Sequence, residues 1–323
     1  MTTRVDLDLR PATLDDAGIV AALETARDPD DPRDPQMLRY RWTKGSADQV
    51  SRRLVATRNG AAVAYIGAAH RPWEATSKRF GVIRPILHPD RWSAPAYSHL
   101  VHAGEAWLRT EEAATSIATV GAEFERELAV YEGLGYEEVR RQRISQLDLV
   151  AGREHLLADA ARHRKHVISQ GVQLLTLSED ADPDRMQQLY GLMNAAEGDV
   201  PSTVPWQTVP FDEWKAMTFG NPGIREDRFW IAREGDAIVG VSMLQFPPGG
   251  GIPWTALTGT SRPVRGRGIA RALKYATVAQ AIGLGYERVR TNNDGANAPI
   301  LHLNEDMGYR LVRPLIELHR QMT

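Results

Sequence analysis

The chain repeats one pattern. Arg58-Asn-Gly-Ala-Ala-Val63 matches Arg233-Glu-Gly-Asp-Ala-Ile238 at an offset of 175 residues. Pro89-Asp-Arg91 matches Pro263-Val-Arg265 at 174, and Tyr131-Glu-Gly-Leu-Gly-Tyr136 matches Asn304-Glu-Asp-Met-Gly-Tyr309 at 173. Three anchors at nearly constant offset mean that one domain was duplicated, and they exclude a stacked solenoid of short repeats. The length of 323 residues suits two domains. The expected division is 1–150, a connecting helix over 151–170, and 171–323.

Each copy alternates helices and strands, which places the fold in the α/β or α+β class. In the first copy, Val5–Arg10 alternates as a strand, and a helix runs from Thr13, a plausible cap, to about Ala26. Asp28–Pro35, with three prolines and four aspartates, is expected to be loop. Two strands meet at the tight turn Asn59-Gly60. A strand at 80–87, a helix at 95–109, a strand at 115–120, a helix at 123–134 stopped by Gly135 and a strand at 139–149 complete the copy. The second copy has a strand at 172–177, a helix at about 183–195 and a long loop over 198–214, a length that is usually functional. Strands at 229–233, 237–246 and 254–261 follow.

The most informative stretch is Thr258–Lys274. A strand ends at Thr260 and Ser261, the loop Arg265-Gly-Arg-Gly-Ile-Ala270 follows, and Ile269, Leu273 and Ala276 then recur at helical spacing. Small residues at Gly266, Gly268 and Ala270 let a backbone approach a ligand. The helix start offers unpaired amides and a positive dipole end. Arg265, Arg267 and Arg271 add charge, so the chemistry calls for an anion such as a pyrophosphate. A Walker loop is excluded because Lys274 is misplaced, and a dinucleotide fingerprint because position 271 is Arg.

What fits is Arg/Gln-x-x-Gly-x-Gly/Ala, with Arg265, Gly268 and Ala270 in the defining positions. This resembles the acyl-CoA-binding motif of the GNAT acyltransferase superfamily. The strand 288–292 and the short helix ending Asn304-Glu-Asp-Met-Gly-Tyr309 agree with that family. The resemblance implies two tandem GNAT-like domains, each a mixed, mostly antiparallel sheet flanked by helices. It implies acetyl transfer from acetyl-CoA, as co-substrate, to an amine or hydroxyl of a small molecule. The amides of Arg267, Gly268, Ile269, Ala270 and Arg271 would hold the pyrophosphate, with Gly266 in the same turn and Arg265 helping with charge. Thr260 and Ser261 would pair with the pantetheine arm, and Asn297 and Asn292 (or Asn293) would contact it. Asn297 can equally cap its helix.

Many members of the family carry a tyrosine as general acid four residues before the Gly-aromatic pair; here that position is Asn304. An amide can hydrogen-bond a thiolate but cannot usefully protonate it, so Tyr309, Tyr275 or water would have to substitute. Asn304 and Tyr309 are therefore the catalytic candidates. The first copy has Tyr131 at the corresponding place, but its loop reads Arg91-Trp-Ser-Ala-Pro-Ala96, where Pro95 removes an amide donor. It is expected to be non-catalytic, with Tyr131 in the core or at an interface. The strand before the glycine loop has no carboxylate from Trp254 to Ser261, which leaves Glu197, Asp199, Asp212 and Glu213 as possible bases. Asp199, Trp206, Glu213 and Trp214 are the acceptor-pocket candidates.

The chain has no cysteine, which excludes disulfides, thiolate metal sites and a cysteine nucleophile, and makes direct transfer in a ternary complex natural. His99 and His102, with Glu105 beyond, have metal-compatible spacing but nothing else in support, so no metal is expected. The basic cluster Arg162–His166 is expected to be a solvated helix face. A net charge of −2 gives no global pull toward nucleic acid or membrane. No apolar run approaches the ~20 residues of a membrane span, and with no apolar leader the expected compartment is the cytoplasm. Oligomeric state is left open. Two rival functions keep the fold: a non-catalytic CoA-binding sensor or partner-binding module, which Asn304 favours, and a Fem-type aminoacyl transferase, which the intact loop disfavours.

Overall fold

The computed structural model describes residues 7–44, 49–72, 78–204 and 206–322. The chain forms two compact units, Met1–Gln142 with Arg313–Thr323, and Arg143–Val312. These units differ from the expected 1–150, 151–170 and 171–323: the boundary falls after Gln142, residues 143–170 belong to the second unit, and Arg313–Thr323 belong to the first.

The first unit begins with β1 (Arg10–Pro11) and α1 (Ala17–Arg27). Most of the expected strand at Val5–Arg10 lies outside the described residues, and only its end pairs, with β2. The expected loop is followed at once by α2 (Pro35–Lys44), where Pro35 occupies a first-turn position that needs no amide. Strands β2 (Val50–Arg58) and β3 (Ala61–His70) join through Asn59 and Gly60, both at positive φ, as a tight hairpin turn requires. Then come β4 (Phe80–Leu87), α3 (Ala94–Thr110), β5 (Thr115–Gly121) and α4 (Glu125–Gly133), after which β6 (Glu137–Asp148) runs through the boundary between the units and is counted below with the second. Tyr131 is buried in this core, edge-on to Tyr97 and Tyr136.

The second unit contains α5 (Arg153–Ile168), β7 (Val172–Thr176), α6 (Arg185–Gly198), α7 (Phe211–Phe219), β8 (Phe229–Glu234), β9 (Ala237–Gln245), β10 (Trp254–Thr260), α8 (Ile269–Gly283), β11 (Arg288–Asp294) and α9 (Ala298–Asp306). The expected connecting helix is α5, and it is an integral part of this unit: Leu156 and Val167, on one helical stripe, are buried in its core. The expected long loop contains α7, which opens after Pro210 with Asp212 and Glu213 in its first turn. The final strand, β12 (Arg310–Gln321), pairs antiparallel with β5 from Leu315↔Gly121 to Gln321↔Thr115.

The order in the first unit is β1-β2-β3-β4-β5-β12, and in the second β6-β11-β10-β9-β8-β7. Within each unit the recorded ladders are antiparallel except for one pair, β4 with β5 and β10 with β11. Each parallel pair is joined by a crossover helix, α3 or α8, as parallel strands demand. The duplication read in the sequence is therefore a duplication of topology.

Candidate functional site

The second unit's site is built where β10 ends. β10 follows β9 antiparallel, with a register shift between Thr255 and Leu257. With β11 it pairs at Trp254↔Arg290, and no further ladder pair joins the two among the described residues. Two strands that start side by side thus part after one register, leaving the edge from the bulge to Thr260 free of β11. Gly259 has no room for a side chain, because a Cβ there would stand 2.7 Å from Ala196 Cβ on α6.

After Ser261 the chain turns through Arg262–Val264 and reaches Gly266 and Gly268, both at φ +81°, where glycine is the favoured residue. Gly268 is the N-cap of α8 and supplies no side chain to it. The first recorded bond back along the helix runs from Ala272 N to Gly268 O, so the amides of Ile269, Ala270 and Arg271 project beyond the helix start. The matching helix in the first unit is closed: Ser93 caps α3 by accepting from Ala96 N at 3.3 Å, and Pro95 removes another amide.

The loop arginines are already paired. Arg262 and Arg265 both bind Asp199, the first at 2.6 Å, and these hydrogen bonds, from Arg262 first, hold the Asp199 carboxyl down at about 2. Arg267 pairs with Glu234 at 2.8 Å and Arg271 with Asp306 at 2.6 Å. In the turn after α5, the Gln170 side chain donates to the Arg267 carbonyl at 3.3 Å. The positive field expected of this loop is thus partly neutralised, and the free helix amides are its main anion-binding asset.

Beside the parted strands lies a buried polar cluster. Asn304, 3% exposed, donates from Nδ2 to Asn293 Oδ1 at 2.7 Å, and Thr291 donates to the same oxygen at 3.2 Å. Strand alternation turns Asn293 inward and leaves Asn292 exposed, so Asn293 takes the interior place expected of Asn292. Asn297 is the N-cap of α9 but makes no side-chain cap bond. Tyr309 is buried with its hydroxyl beside Thr255, and burial pushes its phenol well above the usual range. Lys274 Nζ lies 4.6 Å from the centroid of the Tyr309 ring. Lys274 is only 1% exposed, and burial pushes its amine down to about 7. Tyr275 turns away, donating to Asp159 at 3.2 Å and stacking on His163.

The acceptor-pocket candidates scatter. Asp199 sits on the loop arginines. Trp214 packs into the core against Tyr190, Phe211 and Phe219, so it is a core residue rather than a pocket wall. Trp206 is 45% exposed. Glu213 is half-buried on α7. Glu197, next to the Ala196 that touches β10, is half-buried without a charged neighbour, and burial raises its carboxyl. No group of three or more His, Asp or Glu able to hold a metal occurs among the described residues, and His99 and His102 are exposed.

A glycine-capped helix start after a bulged strand, beside a parallel pair that parts, gives the second unit an open, anion-binding helix terminus. Residues 186–309, within the second unit, match the acetyltransferase (GNAT) family, a family that generally uses acetyl-CoA. No curated protein matches the chain. Among solved structures, a GCN5-related N-acetyltransferase from Sphaerobacter thermophilus is similar at 22% identity and a TM-score of 0.69, over 98% of this chain and 95% of that one. A tandem GNAT protein from the clavulanic acid biosynthesis pathway is similar at 16% identity and a TM-score of 0.75, over 98% of both chains. A GCN5-related glucosamine N-acetyltransferase region of a fungal multi-domain GH3 β-N-acetylglucosaminidase matches at 13% identity and a TM-score of 0.65, over 99% of this chain and 38% of that one. The chain has the tandem GNAT fold. No helix among the described residues is long and apolar enough to cross a membrane.

Proposed function

We propose that the unit Arg143–Val312 transfers an acetyl group from acetyl-CoA to the amine or hydroxyl of a small molecule, by direct attack in a ternary complex. The observation that carries this is the start of α8, where Gly268 leaves the first helical amides without a side-chain cap. These amides, from Arg267 to Arg271, receive the pyrophosphate. The free edge of β10 up to Thr260 and Ser261 receives the pantetheine amides as a strand would, with Asn297 and Asn293 on the far side. Glu197 is the base: a half-buried carboxylate with a raised pKa, one residue from the contact with β10, is suited to taking the acceptor's proton. The first unit binds no CoA in this manner, because Ser93 and Pro95 have already closed its helix start.

The test is calorimetric titration of acetyl-CoA into the wild-type protein and a Gly268→Trp variant. One site per chain, lost in the variant, is expected. Two sites would refute the closed first unit, and no binding would refute acyl transfer itself. A second function, CoA binding without turnover, draws on Asn304 standing where an acid is needed. Acetylation of any amine or hydroxyl acceptor removes it.

A further inference from the structure

A lysine on a helix normally runs its alkyl stem along the surface and leaves its ammonium in water. Lys274 does the opposite. Its place on α8 is an apolar one, in line with Val278 and Ala281, which pack in the core cluster that also holds Leu303, Met307 and Tyr309. Lysine is almost never fully buried unless paired. Here Nζ has no hydrogen-bond partner among the described residues, and its recorded neighbour is the face of the Tyr309 ring. Burial alone acts on its amine, without the help or opposition of a charged group. The one titratable side chain recorded against it is Tyr309.

Nζ is not the only unsatisfied polar atom in this part of the unit. Asn304 Oδ1 is also buried without a partner, and the buried Tyr309 hydroxyl and Thr255 Oγ1 have at most each other. They come from α9, the turn just before β12, and β10, and Thr255 marks the bulge after which β10 and β11 separate. An orphaned buried polar group is destabilising, and an unpaired buried amine more so. Packing does not explain them, since leucine or methionine would fill the position of Lys274 without penalty. Thr255 lies on the parted edge along which the thioester arm is laid in the proposed function; the Tyr309 hydroxyl stands beside it, Lys274 faces the Tyr309 ring, and Asn304 is bonded to Asn293 of β11.

We propose that Lys274 is the proton donor to the departing CoA sulfur, the part that Asn304 cannot play. The inference rests on the acetyl-transfer function proposed above. The acceptor nitrogen attacks the thioester carbonyl carbon and a C–N bond forms. The tetrahedral adduct collapses, the C–S bond breaks, and its electron pair stays on sulfur. The Lys274 ammonium gives one N–H proton to that sulfur, yielding the CoA thiol and a neutral amine. The proton that the acceptor nitrogen loses to Glu197 passes to solvent, and solvent restores the ammonium. An amine that populates both protonation states near neutrality can give and regain a proton in each cycle. Asn304, fixed to Asn293, orients the same sulfur.

The experiment needs no acceptor. Desulfo-CoA, which lacks the sulfur, is titrated into the wild type and into Lys274→Met and Lys274→Gln variants. CoA is then bound to each, and ionisation of its thiol is followed by thiolate ultraviolet absorbance against pH. All three proteins are expected to bind desulfo-CoA equally, with the bound thiol at least about tenfold less acidic in the variants than in the wild type. Equal thiol acidity in all three, with desulfo-CoA binding intact, overturns the role of Lys274 and leaves acetyl transfer standing. Loss of desulfo-CoA binding in both variants alone assigns the lysine to the shape of the site and also overturns the proposal. No binding by the wild type overturns acetyl transfer, and the inference with it.

Discussion

Replacing Lys274 by methionine should stabilise the second unit, and by an amount that depends on pH in one direction only. Methionine keeps the length and the apolar stem and removes the charge. In the folded protein the amine titrates at about 7 against an ordinary value of 10.5. Each pKa unit is worth 1.36 kcal/mol, so the charged form is disfavoured in the folded state by up to about 5 kcal/mol. The unfolded chain binds more protons between pH 7 and 10.5, so wild-type stability rises across that window. Below pH 7 both states are protonated and the penalty is present in full; above 10.5 both are neutral and it is gone. The variant should therefore be more stable than the wild type at pH 6, with the gap closing steadily toward pH 10.5. Urea unfolding of both proteins at pH 6, 8 and 10 measures the gap directly. A constant difference between the two proteins across this range, or a less stable variant at pH 6, would refute the claim that Lys274 is buried and unpaired.

Two further substitutions test the site. Asp199→Asn frees Arg262 and Arg265, so calorimetry should show acetyl-CoA binding tightened by about two- to fivefold at low salt and less at high salt; unchanged affinity would mean that the carboxylate does not compete with the phosphates. Glu197→Gln should lower kcat by about a hundredfold or more, and should abolish the rise of rate with pH through the raised carboxyl pKa, while acetyl-CoA affinity stays constant in calorimetry; a wild-type pH profile in the variant would assign the base elsewhere.

The parts of this molecule that were legible in sequence are those in which a residue type is forced by local backbone geometry. Asn59-Gly60 and the Gly266–Gly268 loop need positive φ, and both stand where they were expected. Ile269, Ala272 and Leu273 marked the buried side of α8. Helix α7 escaped because prolines at 201, 205 and 210 drew attention to the loop, although Asp212 and Glu213 just after Pro210 are a start signal. The inward place of Asn293 could have been found from alternation along β11. Lys274 could not: its residue type argues for solvent, and only its burial against Tyr309 shows that it has none. The ion pairs on the loop arginines were equally hidden, since Asp199 and Glu234 come from distant segments. The partner of the last strand was hidden for the same reason, because pairing between β5 and β12 leaves no local trace.

That last strand sets an order of events during synthesis. Arg313 ties it into the first unit through Asp28 and Glu123, and its ladder closes against β5. The 170 residues from Arg143 to Val312 lie between these two pieces of one unit. At about 5–20 residues per second, the ribosome delivers the closing strand roughly ten to thirty seconds after the rest of the first unit has emerged. The half of the chain made first is thus the half completed last. Until then β5 presents an open edge to the cell, and the second unit can finish folding before the unit that precedes it.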